Sequence, residues 1–553
     1  MRIFLSGLMG TGKTTVGKAL SERTDLPLVD LDQVLTQQLG SSIADYFRQH
    51  GEAAFRARER AAVEKVLAEH PLAIIALGGG AVADRATRRL LLRAGYLITL
   101  DASDDELARR LESGEGRPLL EGGPVRERIA ELRRARAEAY AECHLRVDTT
   151  VLEPEKVARA VWEGVSEEPI VVPMGLATYR VFVGNHNRHK LALRVQDLGP
   201  VSSMLLVSDT TVGPAWARSL STQLRSLGQT VTHLELAPGE SEKTLESVDT
   251  IWNAALDVGI DRSSLVVGVG GGVIGDLAGF AAATLLRGVR VAHVPTTLLS
   301  MVDSAIGGKT GFDTRHGKNL IGAFHQPSFV LSDIHVLSSL ARDERRAGLA
   351  EVVKSAWIEG EAAVAQLEAD AEALARGDED ATTRAIRMAV KLKARIVSED
   401  ERESGLRAHL NLGHTLAHSI EASSGYAGIR HGEAVALGMV AASRVATTLG
   451  HMQPEDAQRA ERLLDRVGLP TRFEPYLTDR VLSFLSADKK RKGAKVSFVA
   501  PGRPGDTTLV PLKVEELTRL FKSFAPAGAE SDAAAPSEPA PSTQDDVTTD
   551  ATT

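Results

Sequence analysis

One cysteine, Cys143, stands among 553 residues. No internal disulfide can form and no cysteine-rich zinc site can be built, which fits a reducing compartment. A surplus of positive charge is also missing. Sixty-five Lys and Arg stand against 73 Asp and Glu, a net charge of −8. That balance excludes a general nucleic-acid binder, which needs cations in excess to neutralise phosphates. No secretory signal is visible, because the few residues between Arg2 and Gly7 are too short for an apolar core. The nearly uncharged stretch 265–286 holds six glycines and Asp276. It reads as a buried strand, a glycine turn and a helix start, not as a membrane span. The expectation is a cytoplasmic chain with neither nucleic acid nor membrane as a partner. No internal repeat is present.

The length exceeds what one hydrophobic core supports, so two to four domains are expected. With 43% hydrophobic and 25% charged residues the composition is that of globular protein. Residues 1–165 alternate short apolar strands (Arg2–Ser6, Leu26–Asp30, Leu72–Leu77, Tyr96–Leu100) with amphipathic helical stretches. That alternation implies an α/β fold with a parallel sheet covered on both faces. The pattern breaks at 166–174, read as a linker. A second α/β unit over 175–333 has Met204–Ser208, Leu265–Val269 and Val291–Pro295 as its clearest strands. Residues 334–525 read as mostly helical. The segment 526–553 is Ala, Pro, Ser, Thr and Asp with almost no large apolar residue, a composition expected to be disordered.

Two glycine loops carry the first chemistry. Gly7-Leu8-Met9-Gly10-Thr11-Gly12-Lys13-Thr14 has P-loop spacing. Its glycines let backbone N–H groups turn toward phosphate oxygens, Lys13 adds a point charge, and Thr14 offers a hydroxyl to Mg²⁺. Gly268-Val269-Gly270-Gly271-Gly272-Val273-Ile274-Gly275-Asp276 has no lysine after it. Such a loop suits a dinucleotide pyrophosphate. The pair suggests two enzymes in one polypeptide, one using ATP and one using a dinucleotide.

In the first half, Asp30-Leu31-Asp32 ends a strand at the carboxyl edge, where ligands sit in such sheets. One carboxylate suits Mg²⁺ held through water and the other a substrate hydroxyl, although Asp here also suits a helix cap. Arg56 and Arg136, taken singly, read as solvated helix arginines. Gly78-Gly79-Gly80 lets a ligand approach the backbone. Arg117 lies in the glycine- and charge-rich stretch 112–123, read as a lid, from which it could reach ATP phosphates. Together GLMGTGKTTVGK, LVDLD, SIADYFRQHGEAAFR, ALGGGAV, GRPLL and RARAEAY resemble the shikimate kinases over nearly all of 1–160. The resemblance implies that Asp32, Arg56, Gly79 and Arg136 bind shikimate, the arginines clamping its carboxylate. It implies ATP contacts from Gly10, Thr11, Gly12, Lys13, Thr14, Thr15 and Arg117. Mg²⁺ would meet Thr14 directly and Asp30 through water, and Lys13, Asp32 and Arg117 would act in catalysis. That family transfers the γ-phosphoryl group of ATP to the 3-hydroxyl of shikimate. The Asp30, Arg56, Gly79 and Arg136 set disfavours a related sugar-acid kinase.

In the second half, Asn411-Leu412-Gly413-His414-Thr415-Leu416-Ala417-His418 precedes His431-Gly432-Glu433. On a helix His414 and His418 share a face. Histidines with a distant carboxylate suit a catalytic zinc, which takes three protein ligands and keeps one position open. Spacing alone leaves open which two histidines bind and which is free. The stretch Pro295–Asn319 spaces Thr296, Thr297, Asp303, Lys309, Lys318 and Asn319 with glycines and small residues. It reads as a loop wrapping an anionic substrate.

This half is similar to the 3-dehydroquinate synthases over roughly 175–522. The matching strings are PGESEK, GGGVIGDLAGF, RGVRVAHVPTTLLSMVDSAIGGKTGFDTRHGKNLIGAFHQP, GLAEVVK, LNLGHTLAHSIE and HGEAVALG. The resemblance implies zinc, or cobalt, on Glu351, His414 and His431, with His418 as a further catalytic histidine. It implies a substrate pocket of Asp303, Lys309, Asn319, Lys354, Lys393, Arg407 and Asn411, with Lys309 and Lys354 catalytic. One of Lys489 and Lys490 would meet phosphate, and Arg287 would reach it across a homodimer interface. NAD would lie on Asp209, Glu240, Lys243, Gly271, Gly272, Asp276, Thr296, Thr297, Lys309 and Lys318. Ala417 stands where that family commonly has glycine. The implied reaction closes a seven-carbon keto-acid phosphate to 3-dehydroquinate, with NAD restored at each turnover. A polyol dehydrogenase is disfavoured because polyols carry neither the phosphate nor the carboxylate that Asp303, Lys309, Lys354 and Arg407 would serve. A carbasugar-forming sugar-phosphate cyclase would lack part of the carboxylate-binding set. A binding-only protein predicts damaged catalytic residues, and none is damaged.

Overall fold

The computed structural model describes residues 1–112, 124–425, 428–487 and 495–525. Arg117, Lys489, Lys490, most of the expected lid and the segment 526–553 lie outside them.

The first sheet contains β1 (Arg2–Ser6), β2 (Leu28–Asp30), β3 (Ala73–Ala76), β4 (Tyr96–Asp101) and β5 (Leu145–Asp148). Its order is β2-β3-β1-β4-β5 and every pairing is parallel. Strand alternation sends Ile3 and Leu5 to one face and Phe4 to the other. Val16 and Leu20 of the helix Lys13–Thr24 and Val157 and Val161 of the helix Pro154–Ser166 cover the first face. Leu31, Leu35, Val63 and Leu91, from three further helices, cover the other. Both faces are dry, which explains why these strands read as uninterrupted apolar runs. The carboxyl ends of β1, β2 and β3 share one edge, and the P-loop leaves β1 there.

The second sheet holds β6 (Ile170–Val172), β7 (Tyr179–Gly184), β8 (Met204–Asp209), β9 (Val231–Leu236), β10 (Leu265–Gly270) and β11 (Arg290–Pro295). A hairpin of β12 (Lys309–Thr314) and β13 (Gly317–Phe324) comes next, then β14 (Phe329–Asp333) returns to the sheet. The order is β6-β7-β14-β11-β10-β8-β9, parallel except for β6 against β7. Two sequence readings change here. The stretch 166–174 contains β6, whose Ile170, Val171 and Val172 are all buried, so its apolar residues extend the sheet. The stretch Pro295–Asn319 is a π-helical turn, Ser300–Ser304, leading into a hairpin. Strand β13 is largely exposed and has no apolar alternation to announce it.

The remainder packs helices Arg342–Glu359, Glu379–Glu399, His414–Ser423 and His431–Thr448 around one core shared with β7 and β14. It also contains an antiparallel hairpin, β15 (Lys495–Pro501) with β16 (Thr507–Lys513), that the helical reading of 334–525 did not anticipate. No helix among the described residues is long and apolar enough to cross a membrane.

Two candidate active sites

The first site forms at the carboxyl edge of the first sheet. Gly10 and Gly12 adopt φ of 82° and 87°, so the P-loop turns where a side chain would be strained. The Lys13 ammonium donates to the carbonyls of Gly7 and Leu8, both at 3.0 Å. Thr14 Oγ1 donates to Asp30 Oδ2 at 3.0 Å, while Asp30 Oδ1 accepts from Asp32 N at 3.0 Å. Asp30 is therefore the helix cap, and its second oxygen sits beside the Thr14 hydroxyl. That hydroxyl–carboxylate pair next to the P-loop fits Mg²⁺ held with ATP. Burial, reinforced by the Asp30 carboxylate, pushes the Asp32 pKa up against the pull of Lys13.

Asp32, Arg56 and Arg136 converge on the glycines after β3. A side chain at Gly78 would meet Asp32 Oδ1 at 2.8 Å, and one at Gly80 would meet the Arg56 guanidinium. The Gly79 carbonyl accepts from Arg136 at 2.8 Å and from the Tyr140 hydroxyl at 2.5 Å. Glu59, buried one helical turn from Arg56, holds that guanidinium at 2.5 Å. Burial raises the Glu59 pKa although Arg56 opposes it. Glu59 and Tyr140 are not legible as site residues in the sequence. The three-residue spacing of Glu59 from Arg56 is the one available signal.

The second site centres on Glu351, His414 and His431, whose ligand atoms lie within 4.8 Å of one another. Among the described residues it is the one such group able to hold a metal. Glu351 comes from the helix Arg342–Glu359, and each histidine opens its own helix. Glu351 Oε2 pairs with the Lys354 ammonium, one turn along. His414 Nδ1 faces the Leu412 carbonyl at 3.2 Å and His431 Nδ1 faces Glu421 Oε1 at 3.3 Å. With Nδ1 of each ring engaged in this way, Nε2 of His414 and of His431 faces Glu351 Oε1, at 3.6 and 3.9 Å. Burial, with Lys354 nearby, holds His414 well below its ordinary pKa, so it is neutral. Burial lowers His431 too, but the Glu421 carboxylate outweighs it and the net direction is up. Glu351 Oε1 is buried without a hydrogen-bond partner. A donor set of one carboxylate and two imidazoles around that orphaned oxygen fits zinc or cobalt with an open position. His418 lies one turn beyond His414, exposed, with ring centroids 5.3 Å apart. It stands outside the ligand group, a distinction that helical spacing does not make.

A cavity of about 520 Å³ adjoins this centre and brings together Asp276, Asp303, Lys309, Asn319, Lys393 and Arg407. Lys393 donates to the Asp303 carbonyl at 2.7 Å and also to its carboxylate. Burial alone would raise the Asp303 pKa. Lys393 and Lys354 outweigh it and hold the carboxyl well below the usual range. Arg407 reaches the Glu401 carbonyl at 2.5 Å and the Gly307 carbonyl at 3.3 Å. Lys309 and Asn411 meet on Glu403, the amide at 2.6 Å. Glu403 and Glu421 carry no assignment from sequence; Glu403 is remote in sequence from Lys309 and has no local pattern.

Toward the glycine loop, Lys243 bridges Asp276 at 2.6 Å and Asn319 at 2.6 Å, and Lys318 pairs with Glu240 at 2.9 Å. Burial raises Asp276 to a pKa of about 6 against the pull of Lys243. Gly271 caps the helix Gly272–Thr284, whose N–H groups point at the carboxyl edge of β10. Thr296 Oγ1 is buried without a partner beside it, and Thr297 Oγ1 accepts from Ser300 N at 3.1 Å. This cradle and its unpaired hydroxyl fit a dinucleotide. Asp209 ends β8 and accepts from Thr211 N and Val212 N, both at 2.8 Å. Arg287 is exposed at φ 65° and does not line the cavity of its own chain.

Comparison with known proteins agrees with both geometries. Residues 9–166 match the shikimate kinase family model. Residues 233–347 and 348–491 match the N-terminal and C-terminal models of 3-dehydroquinate synthase. A 3-dehydroquinate synthase of Nostoc punctiforme is 44% identical over 335 residues, 60% of this chain and 92% of that protein. The solved 2-epi-5-epi-valiolone synthase of Streptomyces hygroscopicus, with NAD⁺ and Zn²⁺ bound, is 28% identical, with TM-score 0.57, covering 63% of this chain and 96% of that one. A solved 2-deoxy-scyllo-inosose synthase complexed with carbaglucose-6-phosphate, NAD⁺ and Co²⁺ is 26% identical, with TM-score 0.55, covering 63% and 97%. The chain belongs to the 3-dehydroquinate synthase family and carries a shikimate kinase domain ahead of it.

Proposed function

We propose that the chain is bifunctional. Its kinase half phosphorylates shikimate on the 3-hydroxyl with ATP and Mg²⁺. Its synthase half converts 3-deoxy-D-arabino-heptulosonate 7-phosphate to 3-dehydroquinate and phosphate, using NAD and zinc or cobalt. The observation that carries the second activity is the cationic wall around the carboxylate–histidine group. Lys393, Lys309 and Arg407 line one cavity, Lys354 is paired with Glu351 of the adjoining metal group, and a substrate with both carboxylate and phosphate would use them all.

When bound, NAD would take and return a hydride, and the metal would polarise the substrate's hydroxyl oxygens as a Lewis acid. The chain's own residues do the holding. Asp303 stays ionised through Lys393 and Lys354, so it accepts from a substrate hydroxyl. Arg407, Lys309 and Asn411 anchor the anionic ends through a wall braced by Glu403. His418, exposed beside His414, is placed to move a proton. In the kinase half, Arg56 and Arg136 clamp the shikimate carboxylate and Asp32, its pKa raised, accepts from the hydroxyl. A kinase domain over 1–165, a synthase sheet domain that begins at β6 and runs to 333, a third domain over 334–525, a homodimer bringing Arg287 to the partner's phosphate, and a cytoplasmic site belong to the same reading.

A carbasugar-forming cyclase is the second reading, because the solved relatives with NAD and metal are of that kind. The higher identity to dehydroquinate synthases favours the first. Phosphate release from the heptulosonate phosphate, with no net NADH, tests it. Turnover of a sugar phosphate lacking the carboxylate, with none of the keto acid, would overturn it.

A further inference from the structure

The two halves meet along an arginine stripe. Arg85, Arg89 and Arg93 recur every four residues on the helix Arg85–Ala94 and so share a face. That face meets the C-terminal end of the synthase helix Glu379–Glu399. Arg89 donates to the Ser398 carbonyl at 2.8 Å and pairs with Glu399 at 3.0 Å. Arg85 reaches the same carbonyl at 3.4 Å, and Arg93 pairs with Glu399 at 2.9 Å. Carbonyls in a last helical turn lack partners inside the helix, and cations there also complement the helix dipole. The kinase domain thus caps a synthase helix.

The chain runs directly from that cap into the wall of the synthase cavity. Asp400, the next residue, is buried and accepts from Ser404 N, Gly405 N and Arg407 N at 2.8, 2.8 and 2.9 Å. These bonds shape the turn that presents Glu403, at φ 59°, to Lys309 and Asn411, and Arg407 to Gly307. A second link ends at the same place. On β7, Arg180 donates to the kinase-domain carbonyls of Cys143 and His144 at 3.0 and 3.1 Å. Its neighbour Tyr179, fully buried, accepts from Gly307 N at 2.9 Å.

We propose that Arg89, in the kinase domain, is a positioning residue for the synthase site: by capping Ser398 and Glu399 it holds the 400–407 turn, and with it Lys309, Asn411 and Arg407, in register with the substrate. This role rests on the cyclisation reading. It makes the synthase half dependent on the domain fused to it.

The full-length chain carries the test. In Arg89→Ala the synthase KM for the heptulosonate phosphate rises about tenfold, the scale of one charge-assisted hydrogen bond, while kinase turnover is unchanged. Arg89→Lys restores charge and recovers part of the KM. Asp400→Asn raises KM in the same way, and the double variant adds less than the two singles together, because both act through one turn. Partial unfolding would instead lower kcat at unchanged KM. An unchanged KM in Arg89→Ala, or strict additivity with Asp400→Asn, overturns the proposal. A wild-type chain without cyclisation sinks the functional reading itself; an active wild type with an unchanged Arg89→Ala sinks only the positioning role.

Discussion

Glu351 Oε1 faces His414 Nε2 across 3.6 Å and has no hydrogen-bond donor of its own. A buried acceptor left unsatisfied costs about 1–3 kcal/mol, more when charged. A divalent cation between the carboxylate and the two imidazoles removes that cost. Chelation, or His414→Ala, is expected to abolish cyclisation and leave phosphorylation of shikimate intact once Mg²⁺ is supplied. Elemental analysis should find about one zinc or cobalt per wild-type chain and none in the variant. Glu421→Gln, which loosens His431, should weaken metal binding about 10- to 100-fold. Metal content unchanged in both variants would show that the group is not the centre.

The kinase pocket makes a separate prediction. Arg136→Lys keeps the charge but loses the planar fork that meets both Gly79 and a carboxylate. The KM for shikimate should rise at least about tenfold with little change for ATP. Glu59→Gln frees Arg56 from its brace and should act in the same direction. Lys13→Ala should remove phosphoryl transfer and spare phosphate release by the synthase. Coupled assays of each half in one preparation decide all three, and loss of cyclisation in Lys13→Ala would contradict two chemically separate sites.

Asp276 gives a pH signature. Its pKa is raised from 3.8 to about 6, so the folded protein holds a proton there that the unfolded chain has already lost. Between those values stability falls as pH rises, because the folded state binds more protons. Above about 6 the carboxylate is charged and pairs with Lys243, the form in which it would accept from the hydroxyls of a bound dinucleotide. NAD affinity should therefore weaken as pH drops through about 6, and Asp276→Asn should flatten that dependence. Calorimetric titration of NAD on both sides of that pH measures it; a flat wild-type profile would remove Asp276 from the cofactor site.

Gly432 and Gly438 let the helices of the metal centre touch backbone to backbone. A methyl at Gly432 would fall 1.8 Å from the Ala347 carbonyl oxygen, and one at Gly438 1.9 Å from that of Gly413. Each contact adjoins a ligand: Ala347 lies one turn before Glu351, and Gly413 immediately precedes His414. Alanine at either position should cost about 1–3 kcal/mol or more by overpacking and reduce metal retention. Thermal unfolding with and without added zinc would register both effects, and an unshifted transition would show that the helices can part cheaply.

The two glycine loops, the parallel sheets and the residue types of both sites are legible in the order of amino acids alone. Those features are local: a P-loop, a buried strand and a pair of histidines at helical spacing each occupy a few consecutive residues. Spacing could not choose His431 over His418 as the ligand, because the choice depends on Glu351, which another helix delivers. Nor is there any sign in the sequence of Glu403 bracing Lys309, of β6 joining the sheet, or of Arg89 capping Ser398. These emerge with packing, because each joins groups far apart in sequence whose encounter depends on how sheets and helices come together. A carboxylate or an arginine alone looks like solvated surface until the fold shows which carbonyl, ammonium or imidazole it meets.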